Sequence, residues 1–360
     1  MSWHSIRGHD RVVEELRRSL QQGRFPHALL FVGPEGIGKR SFARKLAQAL
    51  LCETRPAIQL DPCAACAGCL QVEAGTHPDF LEVARPEDKH ELPIRVIRDL
   101  CDQFGLKPAR GVRKVAVVDD ADDLNDEAAN AFLKTLEEPP PGAVLILIGT
   151  SADVQLPTIV SRCQVVRFDP LPEADVAAVL REQGMVPDAA EAARLAALAG
   201  GTVTRALGLA DPDLDGFRRT MIDDLVGDHG FDPPGLAHRL GDYVKQAGKE
   251  TVDQRRRASL LVGELARFFR GVLWQTAGLA PPCPDAHDCH AATALAGRLE
   301  PEDAFILADR CLQADYHIQR RLALNLILES LLHDLGKVIN TRRRTPRGQP
   351  DSARPRHPGV

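Results

Sequence analysis

The 360-residue sequence lacks an apolar run of the roughly 20 residues that a membrane-spanning helix needs. Its first seven residues also lack the apolar core of a signal peptide. It has no excess of positive charge, because the formal net charge is -5. These absences argue against a membrane protein and against a dedicated, strongly basic nucleic-acid binder. We therefore expect a soluble cytoplasmic protein whose partners are mainly other proteins.

The chain is too long for one compact core, so we expect two or three domains. Residues 1–26 are expected to form a first helix, with Val12, Leu16 and Leu20 on its buried face. Apolar residues at helical spacing between about 215 and 339 predict a second, wholly helical part that carries no chemical motif.

The most informative stretch begins with a predicted strand at residues 114–118. This run is apolar and rich in β-branched side chains, as expected of a buried parallel strand, and it ends at Asp119 and Asp120. Ligands of open α/β sheets bind at the carboxyl ends of the strands, and a carboxylate there beside a phosphate loop usually holds Mg²⁺. Asp119 and Asp120 are therefore candidate residues of a nucleotide site.

A helix and a second strand complete this stretch. Asn125 can cap a helix that ends at the prolines of residues 139–141. Residues 143–148 form another apolar run, which Thr150 follows closely. We expect the two strands and the helix to frame one edge of a sheet.

A phosphate loop is predicted at residues 33–40, between a strand and a helix. Its glycines would let backbone N–H groups turn toward phosphate oxygens, and its lysine would reach the terminal phosphates. The next residue should be Ser or Thr to bind Mg²⁺, but it is arginine, and the serine comes one place, or about 100° of helix, too late. The nucleotide-binding candidates here are Gly33, Gly36, Gly38, Lys39, Arg40 and Ser41.

Four of the nine cysteines, Cys52, Cys63, Cys66 and Cys69, lie close together in the sequence. Two consecutive Cys-x-x-Cys turns can place three thiolates around one ion, and a loop can return the fourth. This spacing predicts a Zn²⁺ site, and four thiolates leave no open position, so the metal would be structural. The alternative is a cluster of reduced thiols. Disulfides are disfavoured because nothing directs the chain to an oxidising compartment.

Two smaller groups have more than one interpretation. His-Pro-Asp at residues 77–79 matches a co-chaperone signature, but it lacks the flanking helical hairpin and is predicted to be a turn into a strand. Cys283 and Cys289 could bind a metal with His287 and His290, although a loop over residues 280–290 is favoured.

Three groups of residues together resemble the bacterial clamp-loader branch of the AAA+ proteins. They are the acidic run at 119–122, the sequence from Ala-Ala-Asn to Leu-Glu-Glu-Pro-Pro at 128–140, and Leu-Pro-Thr-Ile with Ser-Arg-Cys at 156–163. The resemblance covers residues 1–210 well and the remainder in outline.

The resemblance implies an α/β AAA+ P-loop domain with a zinc module, then a small helical lid and an all-α collar that holds a ring of subunits together. The last twenty residues contain six arginines, four prolines and one acid, which predicts a disordered basic tail. The expected boundaries are 1–168 for the P-loop domain, 169–210 for the lid, 211–340 for the collar and 341–360 for the tail.

The resemblance also implies roles for three residues. Arg162 would complete a neighbouring subunit's ATP site as an arginine finger acting in trans; otherwise it is a surface ion pair of small energetic weight. Thr150 would be a sensor at a strand tip. Arg205 would be a second sensor, or else a surface charge at the start of a helix.

Arg40 and Asp120 depart from the active pattern of this family, in which a Glu in place of Asp120 polarises the attacking water. Together they favour a stator subunit that hydrolyses ATP weakly or not at all, and binding of ATP with Mg²⁺ stays open. The resemblance implies a hetero-pentameric ring with motor and delta subunits, which loads the sliding clamp of DNA polymerase III onto primer-template DNA. The alternatives are an ATP-hydrolysing motor subunit, or a helicase or recombination subunit acting directly on DNA.

Overall fold

The computed structural model describes residues 3, 6–86, 89, 91–227, 230–248, 251–281, 285–320 and 322–344. The chain divides into two compact units, Met1–Leu207 and Gly208–Val360. The finer division into P-loop domain, lid and collar stays a prediction. In the part of the chain that the structure describes, we find no helix with the length and apolarity to cross a membrane.

The first unit contains a five-stranded sheet in the order β2-β3-β4-β1-β5, with every neighbouring pair parallel. The three central strands are buried along their whole length, as their apolar, β-branched sequences require. Their carboxyl ends meet at one edge, where Val118 is the register partner of both Val83 and Leu147. The strands are β1 (Ala28–Val32), β2 (Phe80–Val83), β3 (Lys114–Val118), β4 (Ala143–Gly149) and β5 (Gln164–Arg167).

Helices cover this sheet and continue beyond it. Val12, Leu16 and Leu20 are buried as predicted, but the first helix begins at Asp10 and ends at Gln21. The helices are α1 (Asp10–Gln21), α2 (Lys39–Leu50), α3 (Ala67–Glu73), α4 (Ile94–Gly105), α5 (Asp126–Glu137), α6 (Pro157–Val160), α7 (Glu173–Glu182), α8 (Ala189–Ala199) and α9 (Val203–Leu209).

Among its described residues, the second unit contains helices and the turns that connect them, and no strand. Its longest helix buries Leu261, Leu265 and Phe269 completely, which confirms for this segment the helix predicted from apolar spacing between about 215 and 339. The last helix ends at Arg344, so the predicted disordered tail is wrong for residues 341–344, and residues 345–360 lie outside the described part. The helices are α10 (Pro212–Val226), α11 (Pro233–Lys245), α12 (Thr251–Thr276), α13 (Ala286–Ala296), α14 (Pro301–Gln319) and α15 (Leu324–Arg344).

Candidate functional site

The predicted phosphate loop connects β1 to α2, as its sequence pattern requires. Its glycines, Gly33, Gly36 and Gly38, all have positive φ, which side chains disfavour. The side chain of Lys39 is buried and its Nζ donates hydrogen bonds to the carbonyl oxygens of Gly33 and, at 2.7 Å, Pro34. Burial lowers the pKa of Lys39, although nearby acids oppose this. The ammonium group is thus satisfied by the loop itself.

Arg40 fills the place where a Mg²⁺ ligand would be expected. Its Nε donates to Glu82 Oε1 at 2.7 Å and lies 3.5 Å from Asp119 Oδ2. Burial and the nearby Asp120 raise the pKa of Asp119, while Arg40 holds it down. Ser41 is exposed. A guanidinium cannot ligate a metal, and it neutralises the carboxylate that would, so these residues do not fit Mg²⁺.

The remaining acids at this edge form hydrogen bonds with the protein. Asp120 has a left-handed backbone with φ 55° and accepts the backbone N–H of Arg85 at 3.3 Å. Asp122 accepts the backbone N–H of Thr150 at 2.7 Å and the side-chain amide of Gln155. The predicted sensor Thr150 is therefore tied to the acidic run, and its position is exposed.

The start of α9 lies against the phosphate loop. The backbone N–H of Val203 donates to Gly36 O at 3.0 Å. A Cβ added to Gly36 would lie 2.3 Å from Thr204 Oγ1, which leaves no room for a side chain. Arg205, predicted to be a sensor, donates from Nη1 to the carbonyl oxygen of Leu198 at the end of α8. The structure thus brings α9 to the loop and places the Arg205 guanidinium on α8.

Gly36→Ala is expected to destabilise the first unit more than Gly38→Ala does. Both glycines have positive φ, which costs an L residue about 1–2 kcal/mol, but a Cβ at Gly38 would meet nothing within 4 Å. Overpacking against Thr204 should add about 1–3 kcal/mol at Gly36. Urea unfolding measures both losses. Equal losses in the two variants would show that α9 does not pack on the loop.

The four predicted cysteine ligands come together in space. The sulfur atoms of Cys52, Cys63, Cys66 and Cys69 all lie within 4.8 Å of one another. The Cys52–Cys66 and Cys63–Cys69 sulfur distances are both 3.9 Å. Four sulfurs bound tetrahedrally at about 2.3 Å from one ion would be about 3.8 Å apart. The group could therefore hold a metal ion.

Hydrogen bonds to the sulfurs of Cys52 and Cys63 favour their thiolate forms, which are the forms that bind a metal ion. Backbone N–H groups donate to the sulfurs of Cys52, Cys63 and Cys66 at 3.2–3.4 Å. Hydrogen bonds from Thr54 and from backbone N–H groups lower the pKa of Cys63 to about 5. Burial raises the pKa of Cys69, and a bound metal ion would deprotonate this thiol. The donor set thus fits a cation.

Gln48 supports the cysteine group, a role that no sequence pattern indicates. Its buried amide donates to the Cys69 carbonyl oxygen at 3.0 Å and to Glu73 at 2.7 Å. Gln48 belongs to α2, whose first residue is Lys39, while Cys52 follows its last turn. One helix therefore connects the phosphate loop to the candidate metal site.

Arg162 follows α6 and forms an ion pair within the chain. Its Nε lies 3.0 Å from Glu137 Oε1. Its side chain is 34% exposed and that of Glu137 is 51% exposed, so both can be reached from solvent. The geometry allows either predicted interpretation, a surface ion pair or a residue presented to another subunit.

The smaller motifs have structural explanations. The His-Pro-Asp group is a turn into β2, as predicted, and the Asp79 carboxylate accepts the backbone N–H groups of Ala109 and Arg110 at 2.7 Å. The predicted loop over residues 280–290 is wrong after residue 285, because Asp285 caps α13. Cys283 lies outside the described residues, within which the cysteine quartet is the one group suited to a metal.

Comparison with known proteins gives one family match and several similar relatives. Residues 8–172 match the family described as DNA polymerase III, delta subunit. DNA polymerase III subunit delta′ of Pseudomonas aeruginosa is 44% identical over 179 residues, which are 49% of this chain and 53% of that protein. The delta′ subunit of Escherichia coli is 36% identical over 59% of this chain and 63% of its own length.

A tau subunit is also similar to this chain. DNA polymerase III subunit tau of Escherichia coli is 36% identical over 209 residues, which are 57% of this chain and 32% of that protein. The chain covers less than two thirds of each of these three relatives.

Proposed function

We propose that the chain is the delta-prime subunit of a bacterial clamp loader, because residues 8–172 match the family of DNA polymerase III delta subunits and two delta′ subunits are similar to it. In this proposal it is a stator in a hetero-pentameric ring with motor and delta subunits. The ring loads the sliding clamp onto primer-template DNA in the cytoplasm during replication. The chain touches the clamp and DNA as part of the complex.

The arrangement around Arg40 is the observation that carries the stator role. Its guanidinium pairs with Glu82 and Asp119, at the edge where an active ATPase would hold Mg²⁺. Arg44 also reaches Glu82, at 2.8 Å. Two arginines thus neutralise the acids, and the Lys39 ammonium is held by loop carbonyls. Hydrolysis of ATP at this loop would require all of these contacts to break and to be replaced by contacts with the nucleotide and Mg²⁺.

Arg162 would act on the ATP of a neighbouring motor subunit. As charge develops on the transferred phosphoryl group, a guanidinium from an adjacent subunit can stabilise it and complete the site. The half-exposed position of Arg162 suits a role at a subunit face. This chain would then control hydrolysis without performing it, and the motor would turn over only where the ring is correctly assembled.

The helical parts suit a lid and a collar. Helices α7, α8 and α9 would form the AAA+ lid, which α9 holds onto the phosphate loop through Gly36. Helices α10 to α15 would form the collar. Phe305, Leu312 and Tyr316 are exposed and share one face of α14, so they are candidates for a contact with another subunit.

The metal in the cysteine group is Zn²⁺ in this proposal. Zn²⁺ prefers tetrahedral thiolate sites, and the sulfur spacing matches its usual bond length of about 2.3 Å. Cys52, Cys63, Cys66 and Cys69 would occupy all of its coordination positions. The ion would therefore hold α3 against the end of α2, without taking part in a reaction.

A Lys39→Ala variant distinguishes the proposed stator from the alternative, an ATP-hydrolysing motor subunit. The similarity to a tau subunit is the reason to test this alternative. Lys39 would contact the terminal phosphates of a nucleotide hydrolysed here, so a motor would lose clamp loading. We expect a reconstituted complex containing Lys39→Ala to load clamps at the wild-type rate.

The matching change in the loop lysine of the motor subunit is the control and should abolish loading. Loss of loading with Lys39→Ala, in a complex that assembles normally, would reject the stator role.

A further inference from the structure

The guanidinium of Arg162 has several partners in its own chain. Its Nε donates to Glu137 Oε1 at 3.0 Å, and its Nη2 donates to the same oxygen. Its Nη1 donates to the Thr158 carbonyl oxygen at 3.1 Å and lies 3.2 Å from Ser161 Oγ. Before any neighbour arrives, all three guanidinium nitrogens are therefore occupied.

The ends of α5 and α6 bring Glu137 and Arg162 together. Glu137 is the last residue of α5, because the prolines that follow Glu138 prevent the helix from continuing. Arg162 lies just after α6, where its Nη1 shares the Thr158 carbonyl oxygen of the last turn with the Ser161 hydroxyl. The carboxylate and the guanidinium thus belong to two helix ends that pack together.

We infer that Glu137 is the resting partner of Arg162, which the phosphoryl oxygens of a neighbouring subunit's nucleotide displace. This inference rests on the proposed function. A carboxylate and a phosphate accept the same planar edge of a guanidinium, so one anion can replace the other without leaving the charge unpaired. Arg162 is thus kept in place until a neighbour presents its nucleotide.

The Arg162–Glu137 ion pair is weak enough for phosphoryl oxygens to replace the carboxylate. The Glu137 side chain is 51% exposed, and exposed pairs of this kind are weak. Removing the charge of Glu137 should increase the fraction of Arg162 side chains that enter the neighbouring subunit's ATP site by no more than about five-fold. An arginine finger contributes about 10³-fold or more to the rate, so the phosphoryl group can displace the carboxylate. Glu137 therefore controls how often Arg162 enters the neighbouring ATP site, and Arg162 controls the rate of ATP hydrolysis once it is there.

Glu137→Gln tests this inference in the reconstituted complex. ATP hydrolysis by the motor subunits is measured with and without clamp and primed DNA. We expect the variant to raise the rate without clamp and DNA by about two- to five-fold and to leave the fully stimulated rate unchanged. Glu138→Gln is the matched control, since Glu138 is the adjacent exposed carboxylate and should behave as wild type.

Ionic strength gives a second readout that a purely structural role would not change. Salt screens an exposed ion pair, so the unstimulated rate with the wild-type chain should approach that with Glu137→Gln as salt increases. Assembly of both variants is checked by gel filtration.

The outcomes separate the inference from the proposed function. Equal unstimulated rates for Glu137→Gln and Glu138→Gln, while Arg162→Ala abolishes stimulation, would overturn the inference alone. A lower rate with Glu137→Gln under all conditions would mean that Glu137 orients the inserted arginine, which also overturns it. Wild-type behaviour of Arg162→Ala would reject the proposed function.

Discussion

Replacing Arg162 with alanine is expected to lower ATP hydrolysis by the adjacent motor subunit by about 10³-fold or more while the ring still assembles. The expected loss is large because a guanidinium supplied in trans stabilises charge that develops in the transition state. Arg162 is half-exposed and its chain partner Glu137 is exposed too, so its removal leaves no buried charge unpaired. Stability of the isolated chain should therefore change little.

Arg194→Ala is the matched control for this prediction. Arg194 forms an exposed pair with Glu191 through two nitrogens, as Arg162 does with Glu137, but it lies on α8. The Arg194→Ala variant should leave ATP hydrolysis by the motor subunit unchanged. Arg162→Lys should recover little of the lost rate, because an ammonium cannot reproduce the planar fork. Hydrolysis within a few-fold of wild type by the assembled Arg162→Ala complex would show that Arg162 is a surface ion pair.

Replacing Cys66 with serine is expected to abolish binding of the proposed zinc ion and to lower the melting temperature of the first unit by about 5–10 °C. Cys66 contributes a sulfur within 3.9 Å of Cys52 and caps α3. Without the ion, the loop between the end of α2 and α3 loses the crosslink that would join Cys52 to the other three cysteines. Each kcal/mol lost corresponds to about 2–4 °C in a domain of this size, so the shift corresponds to a few kcal/mol.

Metal content and thermal unfolding measure this effect. The wild-type chain should contain one zinc ion, and prolonged chelation should give the same shift as Cys66→Ser. Cys289→Ser, at a half-buried cysteine of α13, is the control and should keep both the zinc and the melting temperature. A wild-type chain that contains no metal after gentle purification would favour the cluster of reduced thiols.

Local sequence signals predicted four of the five strands, but not β5, and the helices that follow the phosphate loop and Asn125. Residues 114–118 form β3 with the predicted boundaries, and the Asn125 side chain caps α5 as expected. These elements follow from apolar periodicity and capping chemistry, which are properties of a few adjacent residues. The predicted helix over residues 1–26 was too long. The indole of Trp3 donates to Leu60 O at 2.6 Å and its ring packs on Phe42, and local sequence does not reveal such distant contacts.

The chemistry of the site could be predicted in part. The cysteine group could be predicted from the spacing of its residues alone. The replacement of the expected Ser or Thr by Arg40 was also visible in the phosphate-loop motif. Glu82, the partner of Arg40, was not, because the pair joins α2 to β2 across 42 positions of sequence. The ion pair of Arg162 with Glu137 likewise depends on two helix ends meeting in the fold. Contacts of this kind depend on tertiary structure.

The measurement that tests the account most directly is ATP hydrolysis by the motor subunits, with delta, clamp and primed DNA, as this chain is titrated in. The chain alone is assayed in parallel. We expect no turnover by the chain alone and a motor rate that rises and saturates at a fixed ratio of chain to motor. Turnover by the chain alone, or a motor rate that does not depend on its presence, would contradict the proposed stator.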